Sequence, residues 1–123
     1  AFKALYDTTG WGPRDRPADF YAPALAGSWA QLSAWDGERL CGFARVISDG
    51  CLHAFITEMI IAPDWQGRGL GAALLNELVQ RCLAAGITDI QLFCARGKLD
   101  FYRKQGFEPR PDEGPGMQYM GHR

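Results

Sequence analysis

The sequence predicts an α/β fold in which a mixed sheet of six or seven strands is flanked by helices. Extended runs separated by Asp-Gly pairs come first, a run of apolar residues at helical spacing follows, and a short apolar stretch between glycines comes next. Hairpins that lead into strand–helix–strand connections build a sheet that is partly antiparallel and partly parallel. A chain of 123 residues has the size of one domain, so we expect residues 1–123 to form a single domain.

The first half of the chain predicts two short helices and then an antiparallel meander. Residues 1–28 mix aromatic residues with prolines, which favours short helices broken by turns. Three extended runs follow, separated by two Asp-Gly pairs. Asp-Gly between such runs indicates a hairpin, because both central turn residues need a positive φ. The three strands are predicted at 29–35, 39–48 and 52–62.

The second half alternates helices with extended segments. After Pro63, apolar residues recur at helical spacing, and a short apolar run between glycines then predicts a buried strand. A run that contains Phe101 and Tyr102 predicts a second helix. The predicted elements are a helix from Leu70 that stops at Gly86, a strand over 87–94, a helix over about 98–105, an edge segment from Phe107 and a last short strand over 116–121.

Composition and charge exclude several functions. The net charge of −1 argues against a nucleic-acid partner. No apolar run is long enough to span a bilayer, and we see no basic-then-apolar leader, so we expect no membrane partner and a cytoplasmic protein. The four cysteines form no CxxC pair, and His53 and His122 lack companions at ligand spacing. We therefore expect free thiols and no metal site.

The most informative segment is Gln66-Gly67-Arg68-Gly69-Leu70-Gly71, between the third strand and the long helix. Glycines let the backbone approach a ligand closely, and the free N–H groups of a helix's first turn attract anionic oxygens. Arg68 adds a charged donor. The segment therefore predicts a site for a phosphate or pyrophosphate group.

Three other interpretations of these glycines are a P-loop, a dinucleotide-binding fingerprint and a purely structural role. A P-loop is excluded, because no Lys-Ser or Lys-Thr follows them. A dinucleotide fingerprint matches loosely, through Gly67, Gly69 and Ala72 with Asp89 further on, but hairpins rather than a βαβ unit precede it. A third interpretation is that the glycines only let the helix pack close to the sheet.

Two blocks of the sequence resemble one family. Gln66–Gly71 resembles the motif with which the GCN5-related N-acetyltransferases, the GNAT family, bind the pyrophosphate of acetyl-coenzyme A (acetyl-CoA). Asp100–Phe107 resembles that family's second signature, in the same order along the chain. The resemblance covers about residues 29–121. It implies a GNAT-like acyl-CoA N-acyltransferase fold with acetyl-CoA as co-substrate and no metal, and a family strand that would precede the first helix.

The resemblance also implies where acetyl-CoA binds. The pantetheine arm would pair with the third strand where it splays from the next strand, and a backbone N–H there would meet the oxyanion. A β-bulge is implied in the same strand. The implied acetyl-CoA-binding residues are Met59, Ile60, Ile61, Gln66, Gly67, Arg68, Gly69, Leu70, Gly71, Phe101 and Tyr102.

Glu58 and Tyr102 are the candidate catalytic residues. An alkyl amine is mostly protonated at neutral pH, so acetyl transfer benefits from a base. By strict alternation Glu58 faces the same side as Ile56 and Ile60, and an apolar setting makes a carboxylate a stronger proton acceptor. An ion pair with Arg45 is the alternative. His53, if the bulge swaps faces, or a bound water could also be the base.

For Tyr102 the resemblance implies the acid that protonates the departing thiolate. The alternative is a core aromatic residue beside Phe101. Together these residues predict an enzyme that moves an acetyl group from acetyl-CoA directly to a primary amine of a small molecule. A non-catalytic acyl-CoA sensor and a protein or peptide N-acetyltransferase remain alternatives. We also expect a homodimer, through the edge of the last strand.

Overall fold

The computed structural model describes residues 1–121, and the chain divides into two compact units, Ala1–Phe93 and the residues from Cys94 onward. The first unit contains the sheet and most of the helices. None of the helices within residues 1–121 has the length and apolar character of a membrane span. The elements of the first unit are α1 (Phe2–Asp7), a 3-10 helix (Ala18–Tyr21), α2 (Ala22–Ala26), β1 (Ala30–Asp36), β2 (Arg39–Ser48), β3 (His53–Ile61), a 3-10 helix (Pro63–Trp65), α3 (Leu70–Ala84) and β4 (Asp89–Leu92).

The sheet is mixed and has the order β1-β2-β3-β4. The first three strands form the predicted antiparallel meander, and β4 joins β3 in parallel after α3 crosses over. Asp49 stabilises the second hairpin, because its Oδ1 accepts the backbone N–H groups of Cys51, Leu52 and His53 at 2.9, 2.7 and 3.2 Å. These three hydrogen bonds lower the pKa of Asp49.

Helices cover both faces of the sheet. Gly42 faces the start of α3: a Cβ at this position would lie 2.9 Å from Leu70 Cδ2 and 3.3 Å from Leu74 Cδ1. Every second residue of β2 from Gly42 therefore points toward α3. Phe43 points the other way, into a buried cluster with Leu5 of α1. Three of the largest fully buried side chains, Leu75, Leu78 and Cys82, belong to α3. The others are Cys41, Val46 and Ile87.

As far as Gly121, the second unit has one helix and an irregular tail. The helix α4 (Leu99–Lys104) lies within the predicted span. The predictions of an edge segment from Phe107 and of a last strand over 116–121 are wrong, since no strand occurs between Phe107 and Gly121. Prolines remove backbone donors there, and a turn closed by the Gly114 N–H and the Pro111 carbonyl at 2.9 Å interrupts the segment. The sheet within residues 1–121 thus has four strands instead of six or seven.

Candidate active site

Glu58 lies at a β-bulge in β3. Phe43 of β2 is opposite Ile60, but Arg45 is opposite Thr57, so Glu58 and Met59 together face a single residue of β2. Glu58 has a φ of 49°, and it is the one non-glycine residue with a positive φ within residues 1–121. Such a conformation is costly for a glutamate and is typical of functional sites.

The bulge changes which side of the sheet the following residues face. Ile56 is opposite Val46, on the α3 face, whereas Ile60 is opposite Phe43, on the α1 face. The expectation that Glu58 shares one apolar side with both isoleucines is therefore wrong. The extra residue at the bulge breaks the alternation on which that expectation depended.

Glu58 forms the ion pair with Arg45 that the sequence offered as an alternative to a role as base, and this contact does not decide between the two roles. Arg45 Nε and Nη2 both lie 3.0 Å from Glu58 Oε1, and the two side chains are only 12% and 23% exposed. Arg45 Nη1 also donates to the Ala24 carbonyl at 3.0 Å and contacts Ser28 Oγ at 3.4 Å. The Glu58 carboxylate is thereby held on the side of the sheet that carries α2.

Beyond the bulge, β3 has an edge that β4 leaves open. The last pair between the two strands is Ile56 with Leu92, while β3 continues to Ile61. The Ala62 N–H donates to the Cys41 carbonyl of β2 at 2.8 Å, so the Ile61 N–H, one residue earlier, points to the opposite, open edge. The open edge is where the family resemblance implies that the pantetheine arm pairs.

The glycine segment lies directly after this edge. Gln66 Nε2 donates to the Ile61 carbonyl at 3.1 Å and so joins the segment to β3. Gly67 and Gly69 have φ values of 79° and 86°, and no atom lies within 4 Å of where their Cβ atoms would be. They are therefore required for backbone conformation and not for close packing. Gly69 caps α3 without a side chain, which leaves the N–H groups of the first turn free for an anion.

An ion pair and an aromatic ring support this segment, and sequence reasoning missed them. Arg39 binds Asp64 through two hydrogen bonds of 2.6 Å. Its guanidinium lowers the pKa of Asp64 to about 2. The Arg68 guanidinium lies 4.6 Å from the centre of the Trp65 ring. Trp65 is close to Arg68 along the chain, so the sequence could have suggested their contact. No local pattern links Asp64 to an arginine 25 residues earlier.

His53 lies apart from the bulge. It begins β3, its side chain is 71% exposed, and its Nδ1 is 2.6 Å from Asp89 Oδ2 at the start of β4. By alternation His53 shares a face of the sheet with Thr57 and therefore with Arg45, which holds the Glu58 carboxylate on that face, but His53 lies at the other end of β3. His53 lines an open pocket of about 470 Å³ at the other end of the strand, with Ser48, Asp49 and Gln91.

Phe101 and Tyr102 belong to α4 in the second unit. Their ring centres are 5.1 Å apart, and Tyr102 also lies 6.2 Å from Phe107. Burial, with a smaller contribution from the Cys94 thiol, raises the pKa of Tyr102 above 10.0. A tyrosine with a raised pKa stays protonated, as a proton donor must.

The four cysteines are free, and Cys51 and Cys94 are exposed. Burial raises the pKa of Cys82, so that thiol is poorly reactive. In the part of the chain that the structure describes, no three His, Cys, Asp or Glu side chains are grouped to hold a metal ion. His122 lies outside the described residues.

A sequence model of the Acetyltransferase (GNAT) family matches residues 3–107. The chain is 43% identical over 117 residues to an uncharacterized N-acetyltransferase, ycf52, of Porphyra purpurea, covering 92% of this chain and 66% of that protein. It is 36% identical to a soybean protein named histone acetyltransferase TAP1, covering 94% and 54%. It is 35% identical to the chloroplastic GCN5-related N-acetyltransferase 2 of Arabidopsis thaliana, covering 94% and 52%. The chain thus spans between about half and two thirds of these relatives.

Solved structures share the fold. A GNAT-family acetyltransferase of Streptococcus pneumoniae aligns with a TM-score of 0.82 at 26% identity, over 98% of this chain and 88% of that one. A protein of Clostridium acetobutylicum, named a predicted acetyltransferase and solved with acetyl-CoA, aligns with a TM-score of 0.71 at 18% identity, over 95% and 87%. The second likeness concerns the fold alone.

Proposed function

The chain belongs to the GNAT acetyltransferase family, and from this premise we propose that the protein transfers the acetyl group of acetyl-CoA directly to a primary amine of a small molecule. The observation that carries the proposal is the open edge of β3 between the bulge at Glu58 and the Gln66–Gly71 segment. The edge offers backbone groups for an extended arm, and the segment offers N–H groups for its phosphates.

Acetyl-CoA supplies the acetyl thioester. Gly67 and Gly69 leave room for the pyrophosphate, and a backbone N–H on the open edge near Met59–Ile61 stabilises the oxyanion. Glu58 accepts the proton that the amine loses as its nitrogen bonds to the carbonyl carbon, and Tyr102 protonates the sulfur as the carbon–sulfur bond breaks. Its raised pKa supports the role of Tyr102.

The proposal is tested by following thiol release from acetyl-CoA with a panel of small primary amines. We expect turnover with at least one amine, and a fall of about a hundredfold in kcat for Glu58→Gln. Glu77→Gln, on the exposed side of α3, is the matched control and should leave kcat unchanged. Acetyl-CoA binding without turnover of any acceptor would support the non-catalytic sensor instead.

A protein acceptor is the second candidate, because the soybean relative is named a histone acetyltransferase. Lysine-containing peptides, histone tails among them, therefore belong in the same assay. Faster acetylation of a peptide than of every small amine would overturn the small-molecule proposal while leaving the reaction unchanged.

We propose the cytoplasm as the location of the protein. Four free cysteines, two of them exposed, support a reducing compartment. The Arabidopsis relative is named chloroplastic, so cell fractionation should compare cytoplasm with plastids. Recovery in a plastid fraction would overturn the proposal.

A further inference from the structure

We propose that Arg45 is a positioning residue for the reaction, which holds the Glu58 carboxylate and links it to α2. The inference rests on the proposed role of Glu58 as the base. It starts from the bulge, where a glutamate adopts a φ of 49° that an ordinary strand would not impose. Such a conformation persists only where surrounding contacts determine it.

Arg45 supplies those contacts. Two of its nitrogens lie 3.0 Å from Glu58 Oε1, and the third donates to the Ala24 carbonyl at 3.0 Å. The arginine side chain is largely buried, with 12% of its surface exposed. A planar guanidinium that binds two elements at once fixes the direction of the carboxylate, which a single ammonium group cannot do.

Arg45 also contacts α2. Ala24 belongs to α2, and Ser28 follows it, so the guanidinium ties the carboxylate on β3 to the helix that flanks this side of the sheet. Arg45 leaves one carboxylate oxygen of Glu58, Oε2, without a bond to the guanidinium. We expect Oε2, which the guanidinium leaves free, to be the oxygen that accepts the proton of the amine.

The experiment compares Arg45→Met, Arg45→Lys, Glu58→Gln and the double variant Arg45→Met/Glu58→Gln in steady-state kinetics. We expect Arg45→Met to lower kcat about thirtyfold, because a misplaced catalytic group costs up to a hundredfold, with the KM for acetyl-CoA within about twofold. Arg45→Lys keeps the charge but not the fork, so its kcat should lie between those of Arg45→Met and wild type. In the Glu58→Gln background, Arg45→Met should change kcat less than about twofold. Arg81→Met, on exposed α3, is the control.

Three results would overturn the proposal: an unchanged kcat for Arg45→Met, an equal loss with and without Glu58, or a rise in the KM for acetyl-CoA that accounts for the whole effect. If Arg45→Met unfolds, the comparison of Arg45→Lys with Arg45→Lys/Glu58→Gln replaces it. If no acceptor is turned over, the proposed function has failed. The melting temperatures of the two single variants and the double variant then still test the pair, since additive losses would refute the contact.

Discussion

At the scale of single residues, Glu58 and its neighbours decide which chemistry the sheet can hold. Its positive φ is what turns Ile60 to the α1 face, and Arg45 is what keeps its carboxylate on the side of α2. Neither residue could do this alone, since a free glutamate in an ordinary strand would follow the alternation. The candidate base is therefore the product of a backbone irregularity and an ion pair together.

Asp64→Asn tests the support of the glycine segment. The pKa of Asp64 falls from 3.8 to about 2, chiefly through its hydrogen bonds with Arg39. A folded-state pKa below the unfolded value stabilises the fold fully above pH 3.8 and loses that effect as the pH falls toward 2. Urea unfolding should therefore show a larger stability advantage of wild type over Asp64→Asn at pH 7 than near pH 2, where about half of the Asp64 carboxylates are protonated. A difference that is the same at both pH values would contradict this.

Tyr102→Phe tests the proton donor. Loss of a general acid should lower kcat about a hundredfold, while the affinity for acetyl-CoA, measured by titration, stays similar. Because the pKa of Tyr102 is raised above 10.0, the wild-type rate should show no loss from tyrosine ionisation until the pH exceeds 10. Phe101→Leu is a control for packing in the same helix. An unchanged kcat for Tyr102→Phe would leave a core role for the ring.

At the scale of elements, the sequence predicts the hairpins, but it does not predict contacts between residues that are far apart along the chain. The Asp-Gly pairs predicted the meander, and the strand predicted over 39–48 is β2, Arg39–Ser48, as observed. The bulge is different, because nothing in the local sequence of β3 requires a positive φ at a glutamate; only the resemblance implied it. The absent strands after Phe107 show how prolines at 109, 111 and 115 prevail over an apolar pattern.

Gly42→Ala tests how β2 positions α3. A Cβ at Gly42 would lie 2.9 Å from Leu70 Cδ2 and 3.4 Å from Ala34 Cβ, so the Leu70 side chain, in the first turn of α3, must shift. We expect a loss of about 1–3 kcal/mol in the free energy of unfolding and weaker acetyl-CoA binding, because the first turn of α3 carries the N–H groups. Urea unfolding and calorimetric titration measure the two effects.

Leu83→Ala is the matched control for that variant, since Leu83 lies on an exposed part of α3 far along the helix from its first turn. It should leave acetyl-CoA binding unchanged. Unaltered affinity in Gly42→Ala would mean that the site does not depend on the position of this turn.

At the scale of the whole molecule, ligand binding and folding are linked. A ligand at 100 times its Kd stabilises the native state by about 2.7 kcal/mol, which for a chain of this length raises the melting temperature by about 10 °C. We expect this shift with acetyl-CoA and with CoA, which share the pantetheine arm, and none at the same concentration with NAD, which has a pyrophosphate but no such arm. Gly67→Ala should reduce the shift, since its φ of 79° disfavours a side chain. A shift with NAD and none with acetyl-CoA would instead favour the dinucleotide interpretation of Gly67 and Gly69, and differential scanning calorimetry distinguishes the two outcomes directly.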